Sequence, residues 1–310
     1  MQNPSDLFRF ESDADADVPR SGVLVVAVGS FIDAGKIQSL LGDHLVESGD
    51  PETVATFDID QLVDYRDRRP TMIFDRNRWD GYDDPAILLR RLTDRDGRLY
   101  YLLTGPEPDF QWERLVEAVR ELIDRLDVSL VVTVHGIPMG VPHTRPIGMT
   151  SHATDPELIG EARSPFGRVQ VPASFPALLE YRLGEAGQRA VGFAIHVPHY
   201  LAASEFAEGA LAALNAVVDA TGLSLPNDGL VEKAEVNRRA IAAEVEDNDE
   251  VKAIVEALEQ QYDAFMRGQQ APNLWVPEGS QIPSADQLGA EFEDFLRTIS
   301  DDDEGDDPAR

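Results

Sequence analysis

Residues 23–35 read VLVVAVGSFIDAG, an unbroken apolar run followed by a turn with a glycine at each end. A strand that is apolar at every position is typical of a parallel sheet that is buried on both faces. The apolar spacing from about residue 32 to residue 46 then predicts a helix. This stretch therefore predicts the strand, turn and helix that begin an α/β domain.

The alternation of strands and helices continues along the chain. Apolar or β-branched segments predict further strands at residues 54–59, 71–74, 99–104, 130–135 and 190–197. Spacings of three and four predict helices at residues 112–126, 175–185, 211–218, 230–245 and 251–266. The expected fold class is α/β, with a mostly parallel sheet covered by helices and a C-terminal helical extension.

The composition divides the chain into four parts. Residues 1–20 carry repeated Asp and are expected to form a flexible acidic arm, and residues 21–225 form the α/β domain. Residues 226–299 form the helical extension, with a linker at 272–283. Residues 300–310 carry almost no apolar side chains, so they cannot offset the entropy of ordering, and we expect a disordered acidic tail.

The charge and the cysteine count exclude several classes of function. The chain has 57 Asp and Glu against 27 Lys and Arg, a formal net charge of −30, which repels nucleic acids and anionic membrane surfaces. It has no Cys, which excludes disulfides, thiol nucleophiles and Cys-type zinc sites. The acidic N-terminal residues do not resemble a signal peptide, and no apolar run is long enough to span a bilayer, so we expect a cytoplasmic protein.

The loop after the first strand supplies candidate ligand-binding residues, because ligands of open parallel sheets bind at the carboxyl ends of the strands. These candidates are Gly29, Ser30, Asp33 and Gly35. The loop matches neither the dinucleotide fingerprint nor the P-loop pattern, so no cofactor is predicted. Asp33 at the start of the helix would itself cap the exposed N–H groups, and we favour a structural turn over a nucleotide site.

Histidines lie at or just after the ends of two later strands, 130–135 and 190–197. Four of the six histidines of the chain are in these two segments: His135, His143, His196 and His199. We take three of them as catalytic candidates: His135, His196 and His199. The same segments supply three further candidate ligand-binding residues: Gly136, Arg145 and Tyr200. There is no H-E-x-x-H pattern and no G-x-S-x-G elbow, so no metal site is predicted and we favour structural histidines over catalytic ones.

Because each segment follows a predicted strand, residues 29–35, 135–138 and 196–200 should lie together at one edge of the sheet. Read in order, these three segments resemble the PAC2 family, named after a proteasome assembly chaperone, and its actinobacterial branch in particular. The motifs are Gly29-Ser30-Phe31-Ile32-Asp33-Ala34-Gly35, His135-Gly136-Ile137-Pro138-Met139 and His196-Val197-Pro198-His199-Tyr200. The resemblance covers about residues 21–222, and the later helices resemble the extension of that branch.

The resemblance implies an α/β fold similar to that of nucleoside phosphorylases and a chaperone-like or scaffolding role with a protein partner. Eukaryotic members dock on the proteasome through a C-terminal hydrophobic-Tyr-any motif, whereas this sequence ends in Asp307-Pro308-Ala309-Arg310, so any proteasome contact is expected to use another surface. The fold and the many aromatics also suggest a homo-oligomer, with a trimer as the first expectation; the aromatics are Trp79, Tyr82, Tyr100 and Tyr101. The alternative is a phosphorylase- or hydrolase-like enzyme acting on a small molecule at the strand-end crevice.

Overall fold

The structure is a computed structural model that describes residues 3–11, 21–29, 32–160 and 167–270. The chain divides into a large unit of residues 1–167 and 173–263 and a small unit of residues 168–172 and 264–310. The large unit holds the α/β fold. In the small unit, residues 168–172 are exposed and without regular structure, and residues 264–270 continue the last helix.

Several parts of the sequence-based description lie outside the described residues. These are Ser30, most of the acidic arm, the linker at 272–283, the rest of the extension to residue 299 and the tail at 300–310. Within the described part of the chain, no helix is both long enough and apolar enough to cross a membrane.

The described residues form ten strands, of which eight make one sheet. The strands are β1 (Phe8–Phe10), β2 (Val23–Val28), β3 (Glu52–Phe57), β4 (Met72–Asp75), β5 (Arg78–Tyr82), β6 (Leu88–Thr93), β7 (Leu99–Gly105), β8 (Leu130–Met139), β9 (Met149–Ala153) and β10 (Ala190–Pro198). The eight-stranded sheet has the order β1-β3-β6-β7-β2-β8-β10-β9, and β4 and β5 form a separate two-stranded ribbon. The segment predicted at 71–74 is therefore a strand, but it lies outside the main sheet.

The main sheet has a parallel centre and antiparallel flanks. β7, β2, β8 and β10 run parallel to one another, whereas β1, β3 and β6 on one side and β9 on the other pair in antiparallel fashion. The parallel strands are the continuously apolar ones, as expected for strands covered on both faces. The predicted α/β class is confirmed, and so are the C-terminal helices.

Helices cover both faces of the sheet. They are α1 (Ile37–Glu47), α2 (Trp112–Leu126), α3 (Phe175–Glu185), α4 (Ala207–Thr221), α5 (Asp228–Asp247) and α6 (Asp249–Gln270). Buried side chains of α1, α4 and α5 form one core with the sheet, and those of α2 and α3 form the other. Strand alternation gives each face its own residues: Val132 and Val134 of β8 lie in the first core, so Thr133 and His135 face the side of α2 and α3.

Residues 8–10 correct the expectation of a flexible arm. They form β1, which pairs with β3 from Phe8 opposite Phe57 to Phe10 opposite Ala55, and the neighbouring Leu7 is fully buried. The aromatic side chains of β1 pack on the second core. This apolar contact holds residues 8–10 against the sheet, although the acidic composition around them predicted a flexible segment.

Candidate functional site

The three segments that were predicted to meet at one edge of the sheet meet there. β2, β8 and β10 are parallel neighbours, so their carboxyl ends lie at the same edge. The turn after β2 is bonded to the segment after β10. The Gly35 amide donates to the Ala202 carbonyl at 2.8 Å, and the Phe206 amide donates to the Gly35 carbonyl at 2.9 Å. The predicted convergence is thus confirmed for the described residues.

His135 and His196 lie within β8 and β10, which continue past the predicted strand ends at residues 135 and 197 into the segments that were expected to be loops. β10 pairs with β8 along its whole length, and this pairing carries both strands beyond their apolar runs to Pro198 and Met139. The direction of each imidazole is therefore set by strand alternation, not by loop conformation.

Asp33 caps the first helix. One carboxylate oxygen accepts the Gln38 amide at 2.9 Å, and the other accepts the Ser39 amide at 3.4 Å. Burial raises the pKa of Asp33, and the hydrogen bonds from backbone amides oppose that rise. The carboxylate occupies the helix start where an incoming phosphate would bind, which supports the structural interpretation of this turn.

The candidate glycines are positions of close backbone approach. A Cβ at Gly136 would lie 1.9 Å from the carbonyl oxygen of Ala34, so only glycine at this position lets β8 run past the turn. Gly35 has a φ of +69°, and a Cβ there would lie 2.9 Å from Cβ of Phe206. A Cβ at Gly29 would lie 3.2 Å from the amide nitrogen of Glu107. These contacts give all three residues a packing role.

Arg145 holds the β8–β9 loop against α6. Its guanidinium donates to both carboxylate oxygens of Asp263, each at 2.9 Å, and lies 3.3 Å from Oε1 of Glu259. The hydroxyl of Thr144 also donates to Glu259. This candidate ligand-binding side chain is thus engaged within the fold.

Tyr200 and His199 form a cluster with His143. The Tyr200 hydroxyl accepts the His143 amide at 2.9 Å and lies 2.7 Å from Nδ1 of the His143 ring. The rings of His199 and Tyr200 meet edge to face with centroids 5.5 Å apart. Burial lowers the pKa of His143 and raises that of Tyr200.

A second group of imidazoles lies on the face of the sheet that α3 covers. We call His135, His152 and His196 the imidazole row. The rings of His135 and His152 are 6.0 Å apart between centroids, and Nδ1 of His152 is 2.8 Å from Oε1 of Glu180 on α3. Nε2 of His196 is 2.9 Å from the Thr150 hydroxyl. Burial, with a smaller contribution from His152, lowers the pKa of His135 to about 4, and burial also lowers that of His196.

His152 and Glu180 were missed by the sequence reasoning. β9 reads MTSHA, a short and largely polar segment that does not have a strand pattern. Glu180 lies in a helix that was predicted, but nothing in its spacing indicates which strand it faces. The antiparallel register of Gly192 opposite His152 is the feature that brings the row together. Among the described residues, no group of three or more His, Asp or Glu is arranged to hold a metal ion.

The β4–β5 ribbon exposes a row of large apolar side chains. Met72 pairs with Tyr82 and, beyond a register shift, Phe74 pairs with Trp79. Met72 and Phe74 are two residues apart on β4, so the four side chains lie on one face, which we call the ribbon face. Their exposed fractions are 47%, 49%, 57% and 64%, respectively. The Phe74 and Trp79 rings meet edge to face at 5.0 Å. Tyr100 and Tyr101, which were grouped with these aromatics, instead lie in the cores.

Comparisons with known proteins agree on one family. The model of the PAC2 family matches residues 27–245. No curated protein matches the chain. A solved protein of unknown function from Mycobacterium tuberculosis is 41% identical, with 85% of this chain and 91% of that chain covered and a TM-score of 0.79.

Two further solved structures are similar. A protein of unknown function from Corynebacterium glutamicum is 32% identical, with 84% of this chain and 98% of that chain covered and a TM-score of 0.78. A proteasome-assembly chaperone homologue from Mycobacterium tuberculosis is 24% identical and shares the fold, with 75% of this chain and 99% of that chain covered and a TM-score of 0.67. Since the family model spans most of the chain and the first two structures are similar over nearly the whole fold, the chain belongs to the PAC2 family.

Proposed function

We propose that this protein is a non-catalytic assembly chaperone or scaffold, that it acts as a homo-oligomer, and that the ribbon face binds its protein partner. The observation that carries the proposal is the exposure of Phe74 and Trp79, at 57% and 64%, in a ribbon outside the main sheet. A two-stranded ribbon is marginally stable alone, and exposed contiguous apolar surface marks sites of interaction.

The composition of the ribbon fits a protein rather than a nucleic acid or a membrane. Aromatic residues and Met are enriched at protein interfaces, and Trp and Tyr dominate their binding energy. Residues 66–84 contain five Arg and five Asp, so this segment has no net charge in a chain of charge −30. The ribbon is thus a surface that a partner can approach without the repulsion that the rest of the chain exerts on anionic molecules.

The family supports a partner from the proteasome. One relative with this fold is a proteasome-assembly chaperone homologue. We therefore take proteasome subunits as the first partner to test.

One apolar cavity of the described residues does not supply the site that the enzyme alternative needs. It lies between α2 and the sheet, and its lining is apolar or aromatic, with Leu24, Tyr101, Val119 and Ile123 among the lining residues. An active site needs convergent polar groups around its substrate. This cavity has none of the candidate histidines in its lining, so it does not supply that arrangement.

The test mixes the purified chain with unassembled proteasome subunits of Mycobacterium tuberculosis and measures complexes by native mass spectrometry. We expect a complex whose affinity falls at least about thirtyfold on substitution of both Phe74→Ser and Trp79→Ser, because one interface hot spot contributes about 2 kcal/mol or more. Tyr181→Ser, an equally exposed aromatic of α3 at 61%, should leave the affinity unchanged. Equal binding by all three proteins would overturn the role of the ribbon, and no binding by the unsubstituted chain would overturn the choice of partner.

A further inference from the structure

β9 is the last strand of the main sheet, and its outer edge carries unused hydrogen-bonding groups. In an antiparallel pair, alternate residues bond to the neighbouring strand and the others point away from it. The His196 amide donates to the Gly148 carbonyl at 2.9 Å, so the even-numbered residues of β9 are the ones that bond to β10. The odd-numbered residues point outward: Met149, Ser151 and Ala153. Within the described part of the chain, their backbone N–H and C=O groups make no hydrogen bond.

The side chains of β9 and of the residue after it hold this strand in place. Nδ1 of His152 lies 2.8 Å from Oε1 of Glu180 on α3, and the Thr154 hydroxyl accepts the Ala190 amide at 2.8 Å. Neither contact uses an outward backbone group of β9. The edge is therefore an ordered strand, which loses little conformational entropy when another strand pairs with it.

Charge distinguishes the two edges of the main sheet. Edge strands are commonly protected from pairing with other chains by charged side chains. β1 has this protection, because the side chain of Arg9 at its centre is 76% exposed and would face a second arginine if two β1 strands paired about their centres. Residues 146–154, which include β9, contain no Asp, Glu, Lys or Arg. The β9 edge thus lets two copies of this acidic chain pair without like charges opposite one another.

A second copy also fits this edge by symmetry. Antiparallel pairing about a twofold axis at Ser151 places Ser151 opposite Ser151 of the second copy. The same register places Met149 opposite Ala153 of the second copy, and the reverse. All of these are hydrogen-bonded pairs, so every outward N–H and C=O group of the three residues gains a partner in both copies.

We propose that β9 pairs with β9 of a second copy, so that two main sheets join into one continuous sheet across a twofold axis. The contact uses no part of the ribbon face, and it adds a twofold contact to any other that holds the homo-oligomer of the proposed function. A five-residue strand gives a small interface. Small interfaces belong to weak and transient complexes, so the contact is expected at high protein concentration.

The first test follows the mass of the full chain by light scattering from micromolar to millimolar concentration. We expect the mass to double over this range, and an unchanged mass would overturn the proposal. Ser151→Glu and Ser151→Lys should each weaken the doubling at least about tenfold, because each places two like charges opposite one another. An equal mixture of the two variants should restore it. A mixture that stays weakened, or two variants that double like the unsubstituted chain, would contradict the pairing about Ser151.

The second test uses the absence of Cys from the sequence, because a single introduced thiol can cross-link only two copies. Directly opposite residues of a hydrogen-bonded pair have Cα atoms about 5.5 Å apart, so a short bismaleimide should cross-link Ser151→Cys. Arg9→Cys is the matched control, because Arg9 is the central residue of the other edge strand. Equal cross-linking of both variants, or none in Ser151→Cys, would overturn the proposal.

A third variant separates this contact from the docking role. The variant with Phe74→Ser and Trp79→Ser should double in mass like the unsubstituted chain, because the ribbon is a separate two-stranded unit. Loss of the doubling in this variant would assign the contact to the ribbon face and overturn the pairing of β9. The binding of proteasome subunits does not enter this measurement, so either proposal can fail without the other.

Discussion

Lowering the pH from above 6.5 to about 4 should destabilise the protein through His135. Burial lowers the pKa of this imidazole from 6.5 to about 4 in the folded chain. Between these two values the unfolded chain holds a proton that the folded chain does not, so unfolding takes up a proton and becomes more favourable as the pH falls. The pKa shift corresponds to a loss of about 3 kcal/mol in the free energy of unfolding. The loss is complete near the pKa of the folded chain and absent above the pKa of the unfolded chain.

The assay is urea unfolding of the full chain and of His135→Gln at several values of pH across this window. Gln is neutral throughout, so the free energy of unfolding of the variant lacks the contribution of His135, whereas all other titrating groups are shared. The stability of the unsubstituted chain relative to the variant should therefore fall by about 3 kcal/mol from the top of the window to the bottom.

His199→Gln is the matched control, since the side chain of His199 is exposed. It measures the effect of a His-to-Gln substitution itself. If His135→Gln shows the same pH dependence as the unsubstituted chain, the imidazole of His135 is not held neutral by burial.

Three further predictions concern packing and association. Gly136→Ala should lower the free energy of unfolding by about 3 kcal/mol or more, because its Cβ would lie 1.9 Å from the Ala34 carbonyl oxygen. Gly167→Ala, whose Cβ would have nothing within 4 Å, should have almost no effect. Equal melting temperatures of the two variants would refute this prediction. Arg145→Ala should speed amide exchange in α6, because the Arg145–Asp263 ion pair ties the β8–β9 loop to that helix; unchanged exchange would show that the pair does not hold the helix. Light scattering at micromolar concentration should give the mass of a homo-oligomer, a trimer first, and the mass of one chain would contradict it.

The fold could be predicted where burial alone determines the pattern. β2, β7, β8 and β10 are buried on both faces, so their apolar runs identify them without any knowledge of their neighbours. β6 and β9 read LLRRLT and MTSHA, with polar residues that only their antiparallel partners make compatible with a sheet. The ribbon escaped prediction as a separate unit because a strand pattern does not specify which sheet the strand joins.

The site could be predicted only in part, for a related reason. Strand order brought His135 and His196 to one edge, as their positions in the sequence indicated. The contact of His152 with Glu180 depends on the packing of α3 over β9, which no local spacing encodes. Arg145 likewise meets Asp263 from a distant part of the chain, and its position near the strand end suggested a ligand instead.

Amide hydrogen exchange shows whether the ribbon face binds the protein partner. Exchange in residues 72–82 is measured for the chain alone and after mixing with proteasome subunits. Exposed amides of a two-stranded ribbon exchange quickly when the ribbon is free, and contact with a partner excludes water from them. We expect slower exchange in the ribbon on mixing, and no such slowing in the variant with Phe74→Ser and Trp79→Ser. A complex that forms and leaves exchange in the ribbon unchanged would contradict it.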